Sequence, residues 1–539
     1  MNDMDARMRL FIERHVAEIE HLEVQYALAS WDLQTTSSAE SQERCADLSA
    51  AIERVYARSD RFDELCSIES QQLSDSLLER QHILLMNAFR TSQMSDETIE
   101  QIVALEVSIE EKFNTYRPTI GGKPVSDNEI DDILINSQDS ALRKEVWIAS
   151  RGVGCEVEDR VLELVRLRNR EAKRLGFENY YSMSLISQEQ DELQLFELLD
   201  SLFENSRSLW IEYKSKLDAE LASRFGVLSE DLQPWHHANR FFQEPGPGAA
   251  KLDRYFEAMD LESITARFFE QIALPVDDLL LKADLYEREN KCQHAFCMDV
   301  DRNGDIRVLC NNRPDERWMS TTLHEFGHAV YDKFVDRSLP YILRGPAHTL
   351  TTEAIALYMG RLTKSAPWLH EYAGVDTSAA SSIAAQARKE MKDSLLVFMR
   401  WCFVMCHFER ALYQDPDQDL DALWWTLVER YQNISCPEVD RRKGMWAAKI
   451  HIATAPVYYH NYLLGEMTAS QLLHYLRTAV LSDAADPDRA LISSPLVGNW
   501  MKSELFAPGA VRRWDAWLQH ATGETLNPAY YAADLLSSS

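Results

Sequence analysis

A mainly α-helical fold is predicted for this 539-residue chain by three observations. Helix breakers are scarce: 18 glycines and 17 prolines together make up about half the share of an average globular protein. Apolar residues recur at three and four positions over long stretches. Only one segment has the β-prone runs and the turn residues of a hairpin. A 45% hydrophobic and 26% charged composition is that of a folded globular chain and excludes a disordered one. The length allows one very large core or several ordinary ones.

From residue 1 to about 230 the pattern is a succession of amphipathic helices, as in RMRLFIERHVAEIEHLEVQYAL and ETIEQIVALEVSIEEKF. WHHANRFF then runs into QEPGPGAA at residues 243–250, either a linker between domains or a surface loop within one. Between residues 292 and 312, HAFCMDV and DIRVLC flank Asn303-Gly304, which predicts a β-hairpin. The same stretch spells Asp299-x-Asp301-x-Asn303-Gly304, the opening of a calcium loop, but its twelfth position is Cys310 where a bidentate Glu is required. After residue 314 the pattern is helical again. The richest apolar run, LLVFMRWCFVMCHF at residues 395–408, is broken by Arg400 and too short to span a membrane, so a buried helix is expected.

A formal charge of −30 argues against nucleic acid, whose phosphates need clustered Lys and Arg. The first residues lack the basic start, apolar core and cleavage site of a signal peptide. Nine scattered cysteines without a CxxC pair suit a reducing cytoplasm, the expected compartment. No membrane role is expected.

The chemistry concentrates in TTLHEFGHAVYD, residues 321–332. Positions i and i+4 of a helix share a face, so His324 and His328 can point at one metal ion. Glu325, offset from both, stands where it can take a proton from water. Two histidines need a third protein ligand. Glu353 lies 25 residues after His328, in the first turn of the helix predicted by HTLTTEAIALYMGRL. A glutamate at a helix start also complements the helix dipole, so the spacing alone leaves both roles open.

HEFGHAVY followed by TTEAIALYMG resembles the zinc peptidase clan that contains angiotensin-converting enzyme and thimet oligopeptidase, closest to the converting-enzyme family. Other landmarks follow in the same order between about residues 290 and 465: the hairpin QHAFCMDVDRNGDIRVLC, then SLPYILRGPAHTLTTEA, WWTLVERYQNISCP and AKIHIATAPVYYHNYLLG. RNREAKRLGFENYYSMSL has a looser likeness to the thimet-oligopeptidase branch. The resemblance implies one Zn²⁺ per chain, held by His324, His328 and Glu353. It makes Glu325 the base, His294 and Ala295 the grip on substrate backbone, and Lys449 the grip on the substrate's terminal carboxylate. His451 hydrogen-bonds near the scissile carbonyl. The family spacing from histidine to tyrosine is one residue shorter than His451 to Tyr462. Allowing one inserted residue, Tyr462 is the oxyanion donor and Tyr459 the second pocket tyrosine; without it, Tyr458 takes that second role.

Three departures stand out. The aspartate four residues after the family's ligand glutamate is Leu357 here, and the chloride-binding arginine corresponds to His460 or Asn461, so chloride activation is not expected. The glutamine that assists the family's lysine has no counterpart placed by sequence; Met259 stands near it. Among the remaining candidates, His348 either faces the site or is a solvated loop residue, and adjacent His236 and His237 are expected beside packing. Cys292 and Cys310, bridged in secreted relatives, are expected to be free thiols.

The implied architecture is all-α with a small β-hairpin near the active site, two helical halves surrounding a deep substrate channel. Residues 1–539 form a single catalytic unit, with about residues 1–120 as a helical lid and about 290–465 as the zinc and substrate-binding core. The expected activity is zinc-dependent hydrolysis of short unfolded peptides, with carboxypeptidase-type release of C-terminal dipeptides. The alternatives are an oligoendopeptidase and a catalytically silent binding protein; the retained Glu325 weighs against the second.

Overall fold

In the computed structural model, which describes residues 3–36, 38–125, 127–246, 252–289, 291, 292, 294–437 and 444–536, helix follows helix along nearly the whole chain. Helix α1 (Asp3–Thr36) buries Met8, Phe11, His15 and Ile19, spaced three and four apart as one face requires. With α2 (Ala39–Tyr56) and α3 (Ser76–Thr91) it closes a small core of Met8, Phe11, Leu65, Ile68, Leu78, Leu85 and Phe89. Polar bonds tie this group to the rest of the chain. Tyr341 donates to Glu23 at 2.7 Å, and Arg80 donates to Glu189 at 2.7 Å and to the Ala510 carbonyl at 2.9 Å.

Helix α4 (Asp96–Thr115) starts at Ser95, whose hydroxyl accepts from the Thr98 amide. The two-residue strands β1 (Thr119–Ile120) and β2 (Lys123–Pro124) turn through Gly121 and Gly122, both at positive φ. The 35-residue α5 (Ser140–Arg174) is a spine of the first large core, supplying Trp147, Val157, Val161 and Leu164.

The predicted hairpin forms from β3 (Phe296–Asp299) and β4 (Ile306–Leu309), antiparallel, with Phe296 opposite Leu309 and Asp299 opposite Ile306. Its turn carboxylates are used internally. The Asp299 side chain accepts from the Arg302 amide at 2.9 Å, and Asp301 accepts from Asn303 and Asp305 at 2.8 and 2.9 Å. The calcium-like spelling is therefore a turn held by aspartates.

Beyond the hairpin come α6 (Glu316–Lys333), α7 (Thr349–Leu362), α8 (Thr377–Gln414), α9 (Leu420–Gln432), α10 (Tyr459–Tyr475) and the C-terminal α11 (Pro528–Leu536). Two large cores divide the molecule, and three helices run through both. Helix α7 gives Leu350 to the first core and Ala354 and Ile355 to the second. The early alanines of α8, Ala380, Ala384 and Ala387, lie in the second core and Leu395 to Tyr413 in the first. Helix α10 divides between Met467 and Ala469. The fold is thus all-α and two-halved, and Glu353 sits at the crossing.

Arg400, fully buried in α8, lies over the rings of Phe203, Trp210 and Phe403. Among the described residues no helix is long and apolar enough to cross a membrane. Of the loop at 243–250, residues 247–250 lie outside the described residues, as does the terminal SSS.

Candidate active site

Asp315 starts α6 by accepting from the Trp318 amide, and two turns later the helix presents His324 and His328 on one face. Helix α7 begins at His348, whose ring accepts from the Leu350 amide while Thr351 closes the reciprocal bond. His348 therefore caps the helix that carries Glu353 and is not a solvated loop residue.

The two helices meet on small residues. A Cβ at Gly327 would stand 2.8 Å from Ala356 Cα, a backbone collision that nothing flexible can relieve. One turn on, Ser320 Oγ donates to the Gly360 carbonyl at 3.0 Å. The glycine inside HEFGH thus serves approach: it lets α7 lie close enough for Glu353 to reach the histidines.

His324, His328 and Glu353 each offer one donor atom, all within 4.8 Å of one another. The Glu353 carboxylate is 3.8 Å from His324 Nε2 and 4.0 Å from His328 Nε2. His328 Nδ1 is hydrogen-bonded to Thr352 Oγ1 at 2.7 Å, which fixes the ring and leaves Nε2 facing the other donors. Two imidazole nitrogens and one carboxylate oxygen are a zinc donor set, whereas Mg²⁺ and Ca²⁺ favour oxygen alone.

The electrostatics agree. Burial holds His324 down to about 4 and His328 down to about 3, the latter also beside His324, so both rings are neutral near pH 7 with lone pairs available. Burial pushes Glu353 up to about 7. Burial, and then repulsion from Glu353, pushes Glu325 up to about 8. Among the described residues no Lys or Arg pairs with either carboxylate. Two carboxylates and two neutral imidazoles lacking a cation are what a divalent ion would complete.

The three donors and Glu325 line a cavity of about 780 Å³ that runs under α1, α2 and α3, where His15, Ile19, Glu23, Tyr56 and Leu85 form its other wall. Ala295 is on this wall; His294, exposed, is not. A second cavity, about 990 Å³, is lined from both halves and reaches Phe242, Pro245 and Gly246 beside Gln243.

The segment from Lys449 to Tyr462 approaches from the first half. Lys449 Nζ donates to Gln243 Oε1 at 2.8 Å and lies 5.8 Å from the Tyr459 ring centre. The His451 and Tyr459 rings are 5.3 Å apart. Tyr462 lies between Tyr458 and Tyr459, at 5.0 and 5.6 Å. After burial, the charge of Glu353 is the next influence raising Tyr458 and also acts on Tyr462, while Tyr459 is governed by burial, Trp401 and Cys402. Tyr459 is the tyrosine beside the lysine, and Glu353 acts on Tyr458 and Tyr462.

Gln243, which the sequence does not single out, is the lysine's partner, and Met259 packs against the second core instead. The signal was present as the glutamine opening the Pro- and Gly-rich loop, but only the fold brings it to Lys449. Thr352 was also missed. It orients His328 where the expected aspartate is replaced by Leu357, an apolar residue packed against the second core. His236 and His237 are buried structural residues, His236 bonded to Ser140 at 2.7 Å. Cys292 and Cys310 are free thiols, not bridged to each other.

Comparison with known proteins points the same way. The peptidase M2 family model, described as angiotensin-converting enzyme, matches residues 2–232 and 249–530. An angiotensin-converting enzyme of Haematobia irritans exigua is 23% identical over 445 residues, covering 74% of this chain and 70% of that protein. Carboxypeptidase 1 of Bacillus subtilis (strain 168) is 24% identical over 277 residues, 47% of this chain and 53% of that protein.

Proposed function

The chain belongs to the angiotensin-converting enzyme family of zinc metallopeptidases, and from that premise we propose that it releases dipeptides from the free C-terminal end of short, unfolded peptides. The observation that carries the finer reading is Lys449. Among the described residues its hydrogen-bond partner is an amide, Gln243, and the nearby carboxylate of Glu244 acts on it without forming an ion pair, so the half-buried ammonium keeps room for a direct anionic partner. A substrate's terminal carboxylate would be that partner. The bacterial relative's name, carboxypeptidase, agrees with an enzyme that works from the C-terminus.

In this reading His324, His328 and Glu353 hold zinc, which when bound polarises the scissile carbonyl and acidifies water as a Lewis acid. Glu325 takes the proton of the attacking water and returns it to the leaving amine. Tyr462 and His451 donate toward the carbonyl oxygen as it gains charge. Lys449, Gln243 and Tyr459 hold the terminal carboxylate, and Ala295, on the cavity wall just before β3, pairs with substrate backbone; exposed His294, next to it but off that wall, would have to turn inward to join it. The chain acts as one catalytic unit. Residues 1–120 cover the cavity, a role supported by the separate small core of α1 to α3, and residues 290–465 carry the zinc and substrate groups. The unbridged Cys292 and Cys310 suit a reducing cytoplasm.

Charge-assisted hydrogen bonds are worth about 1.5–3 kcal/mol, so amidating the C-terminus of a good substrate lowers kcat/KM roughly ten- to a hundredfold. Burial holds the Lys449 ammonium down to about 8, and a lysine is charged below its pKa. The preference for the free acid over the amide should therefore be full well below pH 8, half lost near pH 8 and fade above it. An internally cutting oligoendopeptidase would treat acid and amide alike at every pH. Separately, Thr352→Ala should weaken zinc binding about tenfold, read by competition with a chelator, because the His328 ring loses its orienting partner.

A further inference from the structure

We propose that Glu409 and Gln188 are positioning residues for the substrate-handling tyrosines. They hold Val457 in a left-handed backbone conformation that turns Tyr459 toward Lys449 and Tyr462 toward Glu353. The proposal rests on the roles given above to Tyr459 and Tyr462.

Val457 has φ +56°, a region that a β-branched residue avoids, and it is buried. Such a conformation persists only where the surroundings over-determine it. Here both of its polar backbone groups are held from outside the loop. The Val457 amide donates to Glu409 Oε1, on α8, at 3.0 Å. Its carbonyl accepts from Gln188 Nε2 at 3.3 Å.

Gln188 also reaches past the tyrosine pair, because Asn461 Nδ2 donates to its Oε1 at 2.9 Å. Four residues before Val457, the Ala453 carbonyl accepts from Arg168 Nη2 at 2.8 Å, and Arg168 is itself bound to Tyr413 at 3.1 Å. The segment between Lys449 and Tyr462 is thus pinned at Ala453, Val457 and Asn461 by side chains from elsewhere in the fold. Returning φ at Val457 to the usual negative range would swing the chain that follows by more than about 100°. Tyr458 and Tyr459 are the next two residues.

Glu409 is almost wholly buried and makes this bond in place of an ion pair. Burial raises its carboxyl to about 8, so near neutral pH the acceptor is chiefly the oxygen of an uncharged acid. A glutamine at 409 keeps that oxygen and a leucine does not. Because glycine takes positive φ without steric cost, Val457→Gly should restore in part what loss of the Glu409 bond removes.

The test measures kcat and KM per zinc-loaded, folded molecule on a fluorogenic peptide with a free C-terminus, together with a crystal structure of each variant. Glu409→Leu should lower kcat about ten- to a hundredfold, the scale of an ångström-sized misplacement, with zinc content unchanged. Glu409→Gln should stay within about threefold of wild type, and Val457→Gly in the leucine background should recover at least about threefold. Gln188→Ala, less buried and able to decide the matter if the leucine variant does not fold, should lose about three- to tenfold. Equal losses in Glu409→Leu and Glu409→Gln, an unchanged kcat in Gln188→Ala, or absent rescue by glycine would overturn the proposal. A structure of Glu409→Leu with Val457 and the tyrosines unmoved would do so whatever the activity. Failure of the peptidase reading is separate: it appears as a wild type that does not cleave peptides.

Discussion

Glu325→Gln should give a folded protein that binds zinc as the wild type does and cleaves peptides about 10²- to 10⁴-fold more slowly, the range expected for loss of a positioned acid–base group. The separation of binding from catalysis follows from the helix. His324 and His328 share a face with Glu353 opposite them, and Glu325 lies offset from that set. Glutamine matches its volume and can still accept a hydrogen bond, so neither packing nor metal affinity should suffer much. What it cannot do is carry a proton, and Glu325 is assigned both transfers. KM should change little. Equal loss of zinc and activity in this variant would instead mark Glu325 as a ligand.

Tyr462→Phe is the second large effect. A donor aimed at developing negative charge is worth about 10²- to 10³-fold in kcat, and deleting one hydroxyl removes it without a cavity. The neighbouring tyrosines provide the contrast. Tyr459 packs with Lys449 and His451, so Tyr459→Phe should act mainly on KM for peptides with a free C-terminus. Tyr458 shares the influence of Glu353 with Tyr462. The sequence allowed two alignments of these residues; the lysine's proximity to Tyr459 supports the one with an inserted residue. Measuring kcat and KM for the three phenylalanine variants decides it, and a dominant kcat loss in Tyr458→Phe would reverse the assignment.

Much of this architecture is legible in the sequence because its causes are local. Scarcity of glycine and proline, with apolar spacing of three and four, is what a helix requires, and the helical stretches at 7–28 and 97–113 fall within α1 and α4. Asn303-Gly304 marks the hairpin because that turn needs unusual backbone angles, and Gly304 does take φ +116°. The donor triad is legible for a different reason: two ligands lie one turn apart, and the third lies on the next long helix. Residues whose partners are remote leave no such trace. Gln243 and Lys449 are 206 positions apart, and Gln243 falls in the stretch 233–248 that the family match leaves out. Glu409 looks like any charge late in a helix until its partner proves to be a backbone amide in another segment. His348 was ambiguous because a capping ring and a site ring occupy the same place in sequence; the Leu350 amide settles its role as a cap.

The most direct measurement is zinc content by elemental analysis in wild type and Glu353→Ala, with peptide hydrolysis followed in the same samples. The account predicts about one zinc per wild-type chain, activity removed by chelation and restored by zinc, and both zinc and activity lost in Glu353→Ala. Zinc retained by a folded Glu353→Ala protein, or a folded wild type that takes up no zinc, would contradict the three-ligand centre.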